Sequence, residues 1–123
     1  MKYFIIVVVT FFTLSLTACG PTSTASADFT PANATVQITS PSAGTKLKAG
    51  SPIPVTYDVV PVPKCGDHAH IYVDGNLKGV LLSLKNTHTL YGLAAGKHDI
   101  CVKVVNAGHF PVGVEKCISV SLE

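Results

Sequence analysis

The 123-residue chain contains no arginine and no tryptophan, and all nine of its basic residues are lysine. Arginine makes most bidentate contacts to phosphates and base edges, so its absence, without any basic run, argues against nucleic acid as a partner. The lack of tryptophan weakens the case for a sugar-stacking surface. After residue 35 no segment shows a helical period. These absences favour an all-β protein that does not bind nucleic acid.

The N-terminal residues have the pattern of an export signal. Lys2 precedes an apolar run over residues 3–12, which is shorter than the about 20 residues that a spanning helix needs. Leu16-Thr17-Ala18-Cys19 resembles the lipobox of bacterial lipoproteins, which are cleaved before the cysteine and acylated on it, for instance with palmitate. The resemblance implies a signal peptide over residues 1–18 and lipidation of Cys19. The alternative is an ordinary cleaved signal with a chance cysteine.

Lipidation would anchor the protein in the cell envelope through its N-terminus. Gly20 follows Cys19, so the aspartate that retains enterobacterial lipoproteins in the inner membrane is missing. The resemblance implies the outer membrane, on its periplasmic or surface side, in a Gram-negative cell, and otherwise the outer face of the plasma membrane. Residues 19–35 are rich in Pro, Ser, Thr and Ala and are expected to form a flexible linker. The folded domain is expected over residues 36–123.

That domain consists of short alternating segments separated by Gly, Pro and Asn, which predicts an immunoglobulin-like antiparallel β-sandwich of about seven strands. The stretches "VQITSPSAGTKLKAGSPIPVTYDV" and "LAAGKHDICVKVV" resemble the immunoglobulin-like modules of secreted bacterial proteins. Such modules bind proteins, sugars or metals, or space other parts. The resemblance also implies that His98 makes a structural hydrogen bond across a strand corner.

Strand parity places Cys101 and Cys117 on the outer face of two neighbouring strands. A register symmetric about the "NAGHFPVG" turn sets them opposite each other, so a disulfide is predicted in an oxidising compartment. If Cys19 is lipidated, Cys65 is left over. Cys65 could pair with another chain or lie buried as a small apolar group.

The segment "CGDHAHIYVDG", residues 65–75, suggests a metal site. His68 and His70 share the outer face of a strand, roughly 6.5–7 Å apart at Cα, and can both reach one ion. The start of this strand is expected near the turn that carries His109, so His68, His70 and His109, with Cys65, form a candidate copper or zinc site. Two interpretations are open, because an outer sheet face also carries polar residues without a metal, and His109 could cap a loop. His88 is expected on the other sheet, outside this group.

Catalytic motifs are missing from the sequence. No serine lies in a nucleophile elbow, no motif pairs two carboxylates and no glycine loop suits a phosphate. A Cys65–His109 nucleophile is the one catalytic alternative, and we expect a protein that is not an enzyme. Two functions follow as hypotheses. The first is a lipid-anchored binding module for an unidentified envelope protein or small ligand, and the second is a copper- or zinc-binding lipoprotein.

Overall fold

The computed structural model of the protein describes residues 33–123. The predicted signal peptide, Cys19 and most of the linker lie outside these residues, so the predictions made for them stay predictions. The described part contains no helix, and therefore none that could cross a membrane. Its strands are β1 Thr35–Ser40, β2 Lys46–Leu47, β3 Ile53–Val60, β4 His68–Val73, β5 Asn76–Leu81, β6 Lys85–Leu90, β7 Gly96–Val105 and β8 Pro111–Leu122.

Two sheets form the sandwich. The smaller has the order β1-β3-β6, and the larger has the order β2-β8-β7-β4-β5. All neighbours are antiparallel except β2, which runs parallel to β8. This arrangement confirms the predicted all-β, immunoglobulin-like sandwich.

The structure has one strand that the sequence did not predict. The two-residue β2 pairs with the end of β8, where the Glu123 N–H donates to the Leu47 carbonyl and the Ser121 N–H donates to the Thr45 carbonyl. Two residues are too few to show an alternating pattern. This strand forms because β8 lies beside it, so it follows from the tertiary fold.

The core lies between the two sheets and is made by alternate residues of β3, β4 and β7. Burying such side chains contributes about 1.5–3 kcal/mol each for the larger aliphatic residues. The hydroxyl of buried Tyr57 donates to the Ser83 carbonyl at 2.7 Å, so its polar atom is satisfied. The residues with no exposed surface are Val55, Ala69, Ile71, Ile100, Val102 and Val104.

His98 ties three segments together at one end of the larger sheet. Its Nδ1 lies 2.6 Å from Asp74 Oδ2 and its Nε2 lies 3.0 Å from the Ala94 carbonyl oxygen. Both partners are acceptors, so both ring nitrogens must donate, which requires the imidazolium form. Asp74 also accepts the Asp99 N–H at 2.9 Å. His98 therefore makes a structural contact across the corner, at a distance from the metal candidate.

This contact has a pH dependence. The hydrogen bond to Asp74 raises the pKa of His98 above its ordinary 6.5, and the hydrogen bonds from Asp99 and then His98 lower the pKa of Asp74 below 3.8. The stabilisation by charged His98 is complete below pH 6.5 and is lost as the pH rises through the raised pKa. The stabilisation by ionised Asp74 is complete above pH 3.8 and is lost as the pH falls through the lowered pKa of Asp74.

We therefore expect Asp74→Asn to destabilise the protein most between pH 3.8 and 6.5, with a smaller difference on either side. Urea unfolding across this range measures the effect. Asp58→Asn is the matched control, because it removes a carboxylate that pairs with the exposed Lys85. A constant difference between Asp74→Asn and the wild type at all pH values would contradict the assignment.

Candidate metal centre

β4 positions the first two histidines of the centre. It lies between β5 and β7, and His68 and His70, two residues apart, project from the same face. On β7, His68 is opposite Val105 and His70 is opposite Lys103. Val105 in turn is opposite Pro111 on β8, so the β7–β8 turn begins directly beside His68.

That turn carries the third histidine. Asn106 stabilises it, because its Oδ1 accepts the N–H groups of Gly108 at 2.9 Å and Phe110 at 3.0 Å. The His109 N–H donates to the Asn106 carbonyl, and His109 has a φ of 65°. A left-handed backbone at a residue other than glycine has a cost, and histidine is among the residues that tolerate it best. The turn thereby holds His109 over the two strand histidines.

Three ring nitrogens meet in a nearly equilateral triangle. His68 Nε2 lies 3.2 Å from His70 Nε2 and 3.3 Å from His109 Nδ1, and His70 Nε2 lies 3.1 Å from His109 Nδ1. The ring planes are inclined to one another by 37° to 73°, so the rings converge through their nitrogen edges instead of stacking. These three atoms are the group of potential ligands that the described residues bring together.

Neighbouring side chains lie on the far nitrogens of two of the rings. His68 Nδ1 donates to Asp67 Oδ2 at 2.8 Å, which leaves the lone pair of neutral His68 on Nε2, in the triangle. The hydroxyl of Tyr72 lies 3.4 Å from His70 Nδ1. A carboxylate on the outer nitrogen is the usual support of a metal-binding histidine, since it fixes the tautomer and raises the basicity of the ligand atom.

Burial favours the neutral form of His70, which is the form that binds metals. His68 and His70 are each 5% exposed, whereas His109 is exposed. Desolvation is the largest cause that lowers the pKa of His70, followed by the repulsion of His68 and of His109. His70 therefore retains its lone pair to a lower pH than a histidine in water, and is ready to act as a ligand.

The size of the triangle favours some ions over others. Zn–N bonds of about 2.0–2.1 Å at tetrahedral angles place nitrogens about 3.3 Å apart, close to the observed edges. Three nitrogens bound in the plane of a square-planar Cu(II) ion include one pair on opposite sides of the ion, about 4.0 Å apart. No edge of the triangle is that long. The arrangement suits a tetrahedral ion, Zn(II) or Cu(I), bound by three imidazoles.

Of the other predicted site residues, His88, Cys101 and Cys117 lie where the sequence predicts them, and Cys65 does not join the cluster. Cys65 is not one of the converging ligands and makes an interaction outside this group. His88 lies on β6 in the other sheet, opposite Val55. Cys101 and Cys117 face each other across β7 and β8 and form the predicted disulfide, with Cα atoms 4.0 Å apart.

Two features of the site differ from what the sequence suggests. His68 and His70 lie on the face of β4 opposite the core-facing Ala69 and Ile71, as predicted, but both are buried there. Sequence reasoning does not identify Asp67 as a partner of His68, because adjacent residues within one strand point to opposite faces. However, β4 begins at His68, so Asp67 precedes the strand and its carboxylate turns back to the His68 ring. An acidic residue just before a His-x-His pair was the signal that could have identified it.

Asp67→Ala is expected to weaken metal binding by about 10–100-fold, as removal of such supporting carboxylates does elsewhere. Asp67 is mostly exposed, with 58% of its side-chain surface accessible, so the thermal stability of the metal-free protein should change little. Competition with a chelator measures the affinity. Asp58→Ala is the control, because it removes a carboxylate that pairs with Lys85 on the other sheet, away from the histidines. Equal affinities for the two variants would contradict the role of Asp67.

Comparisons with known proteins show the fold. No family model matches the chain, and no curated protein matches it. Among solved structures, the fibronectin(III)-like modules of Clostridium thermocellum CbhA are similar, with a TM-score of 0.60 and 22% sequence identity over 71% of this chain and 93% of that one. The likeness shows the fold, an immunoglobulin-like β-sandwich.

Proposed function

We propose that this protein is a non-enzymatic, lipid-anchored module of the cell envelope that binds zinc or copper through His68, His70 and His109. The observation that carries the proposal is the triangle of three imidazole nitrogens with edges of 3.1 to 3.3 Å. Two of the rings are buried, and the His68 ring is oriented by the Asp67 carboxylate. Imidazole nitrogen is a preferred ligand of both metals.

The anchoring rests on the N-terminal sequence. The resemblance of Leu16-Thr17-Ala18-Cys19 to a lipobox supports an acylated Cys19, and the following polar segment would hold the sandwich close to the membrane. The disulfide between Cys101 and Cys117 fits an oxidising compartment outside the cytoplasm. In such a compartment the three-histidine site would bind metal without competition from the reducing agents of the cytosol.

A titration of the full chain with Zn(II), Cu(I) and Cu(II) against a competing chelator tests the proposal. We expect one equivalent of Zn(II) or Cu(I) per chain, with the His68→Ala/His70→Ala double variant as the background. Metal content equal to that background would reject metal binding. It would leave the other candidate, a module that binds an envelope protein or small ligand.

One observation favours that second candidate. β5 is the edge strand of the larger sheet, and its backbone can pair with another chain. Leu77 and Val80 on this strand are 51% and 46% exposed, and Leu82 just after it is 86% exposed. An edge strand with exposed apolar side chains is a candidate surface for a protein partner, and its use does not depend on a metal.

A further inference from the structure

We infer that the metal held by the three histidines keeps one coordination position open, and that this position binds small anions. The inference rests on the proposed function, because the position exists only once a metal is bound. It adds to that function a ligand class: monoanions that coordinate through a single donor atom, for which azide and thiocyanate serve as probes.

The first support is the count of ligand atoms. Within residues 33–123 the converging group consists of His68, His70 and His109. The two other polar groups that touch these rings lie behind them, since Asp67 contacts Nδ1 of His68 and the Tyr72 hydroxyl lies by Nδ1 of His70. Neither can reach an ion bound on the opposite nitrogen of the same ring.

With Cys19 acylated, as the proposed function has it, the rest of the predicted linker offers few alternatives. In the sequence of residues 20–32, Asp28 is the only histidine, cysteine or acidic residue. Asp28 is therefore the residue of the linker that an experiment must exclude as a fourth ligand.

Geometry supplies the second support. An ion about 2.0–2.1 Å from each of three nitrogens spaced as observed lies about 0.9 Å outside their plane. The three imidazoles then occupy one face of a tetrahedron, and the fourth vertex points away from all three rings. Catalytic zinc sites have three protein ligands and leave the fourth position to an exchangeable ligand. Structural zinc sites are instead closed by four protein ligands.

Charge favours an anion at that vertex. Three neutral imidazoles leave the full charge of a divalent ion uncompensated. The Asp67 carboxylate offsets part of it, but only across the His68 ring. The neighbouring cation Lys103, opposite His70 on β7, is already paired with Glu115 at 3.2 Å. The charge of a metal ion that is partly removed from water is stabilised most by an anion in direct contact with it. An anion that coordinates the ion should therefore bind more firmly than a water molecule.

The exposure of the three histidines indicates the side from which the site is reached. His109 is exposed, whereas His68 and His70 are buried. A small ligand therefore has to approach the ion from the side of His109 and the β7–β8 turn.

Visible spectroscopy of the Co(II)-substituted full chain tests the inference, because the d–d bands report the ligands of the ion directly. We expect Co(II) to bind in one equivalent, and azide or thiocyanate to shift the bands in a saturable way while Co(II) stays bound. The Asp28→Ala variant is expected to have the same spectrum and the same anion affinity as the wild type. Chloride-free buffer keeps the position available to the probe.

The outcomes separate the two proposals. Bound Co(II) whose bands do not respond to the anions would show a closed site and overturn the inference while the metal-binding function stands. Anion binding that appears only in Asp28→Ala would assign the fourth position to Asp28 and overturn it as well. Failure to bind Co(II), Zn(II) and Cu(I) above the His68→Ala/His70→Ala background would reject the proposed function and the inference with it.

Discussion

Zinc is expected to raise the thermal unfolding temperature of the wild-type protein and to leave that of the His68→Ala/His70→Ala variant unchanged. A ligand that binds only the folded state at 100 times its Kd stabilises it by about 2.7 kcal/mol. For a domain of this size that corresponds to a rise of roughly 10–20 °C. Zinc is expected to bind only the folded state, because the three ligands come from two segments, β4 and the β7–β8 turn, that separate on unfolding.

Circular dichroism with and without zinc measures this shift. His88→Ala is the matched control, because His88 lies on β6 outside the cluster, and this variant should retain the full rise. The double variant must also show the β-sheet spectrum of the wild type, which excludes loss of the fold as the cause. A zinc-dependent rise that persists in the double variant would place the metal elsewhere and contradict the assignment.

Removal of the disulfide with Cys101→Ser/Cys117→Ser is expected to lower the free energy of unfolding by about 3 kcal/mol, the value for a closed loop of about 15 residues. The two cysteines are 16 positions apart and lie on the outer face of the larger sheet, away from the core between the sheets. The main effect is therefore on the unfolded chain, which regains the freedom of that loop. The expected fall in the unfolding temperature is roughly 12–24 °C.

Differential scanning calorimetry of the metal-free protein measures the fall. Ser119→Ala is a useful reference on the same strand, since its hydroxyl bonds to the Asp99 carboxylate and no cross-link is lost. We expect a much smaller fall for this variant. A disulfide variant that unfolds within a few degrees of the wild type would contradict the predicted loop contribution.

Much of the candidate site could be predicted from the sequence because strands obey two simple rules. The alternation of side chains places His68 and His70 on one face. The symmetry of a hairpin about its turn places Cys101 opposite Cys117, as the structure shows. The same symmetry predicts the turn with His109 beside the start of β4. These rules need only local spacing and the strand order of an immunoglobulin-like sandwich.

Other features depend on contacts that no local pattern records. The burial of His68 and His70 depends on how the β7–β8 turn, held by the Asn106 side chain, lies over the sheet. The role of Asp67 depends on where β4 begins, and strand ends are the least certain part of any sequence-based assignment. β2 forms because β8 pairs with it. Each of these is a tertiary effect.

The most direct test of the metal site is a long-range ¹H–¹⁵N spectrum of the histidine rings, recorded with and without zinc. We predict that zinc shifts the ring signals of His68, His70 and His109, with Nε2 bound in the first two and Nδ1 bound in the third, as the triangle requires. The signals of His88 and His98 should stay in place. Zinc-induced shifts at His88 or His98, or unchanged signals at the three clustered histidines, would contradict the site.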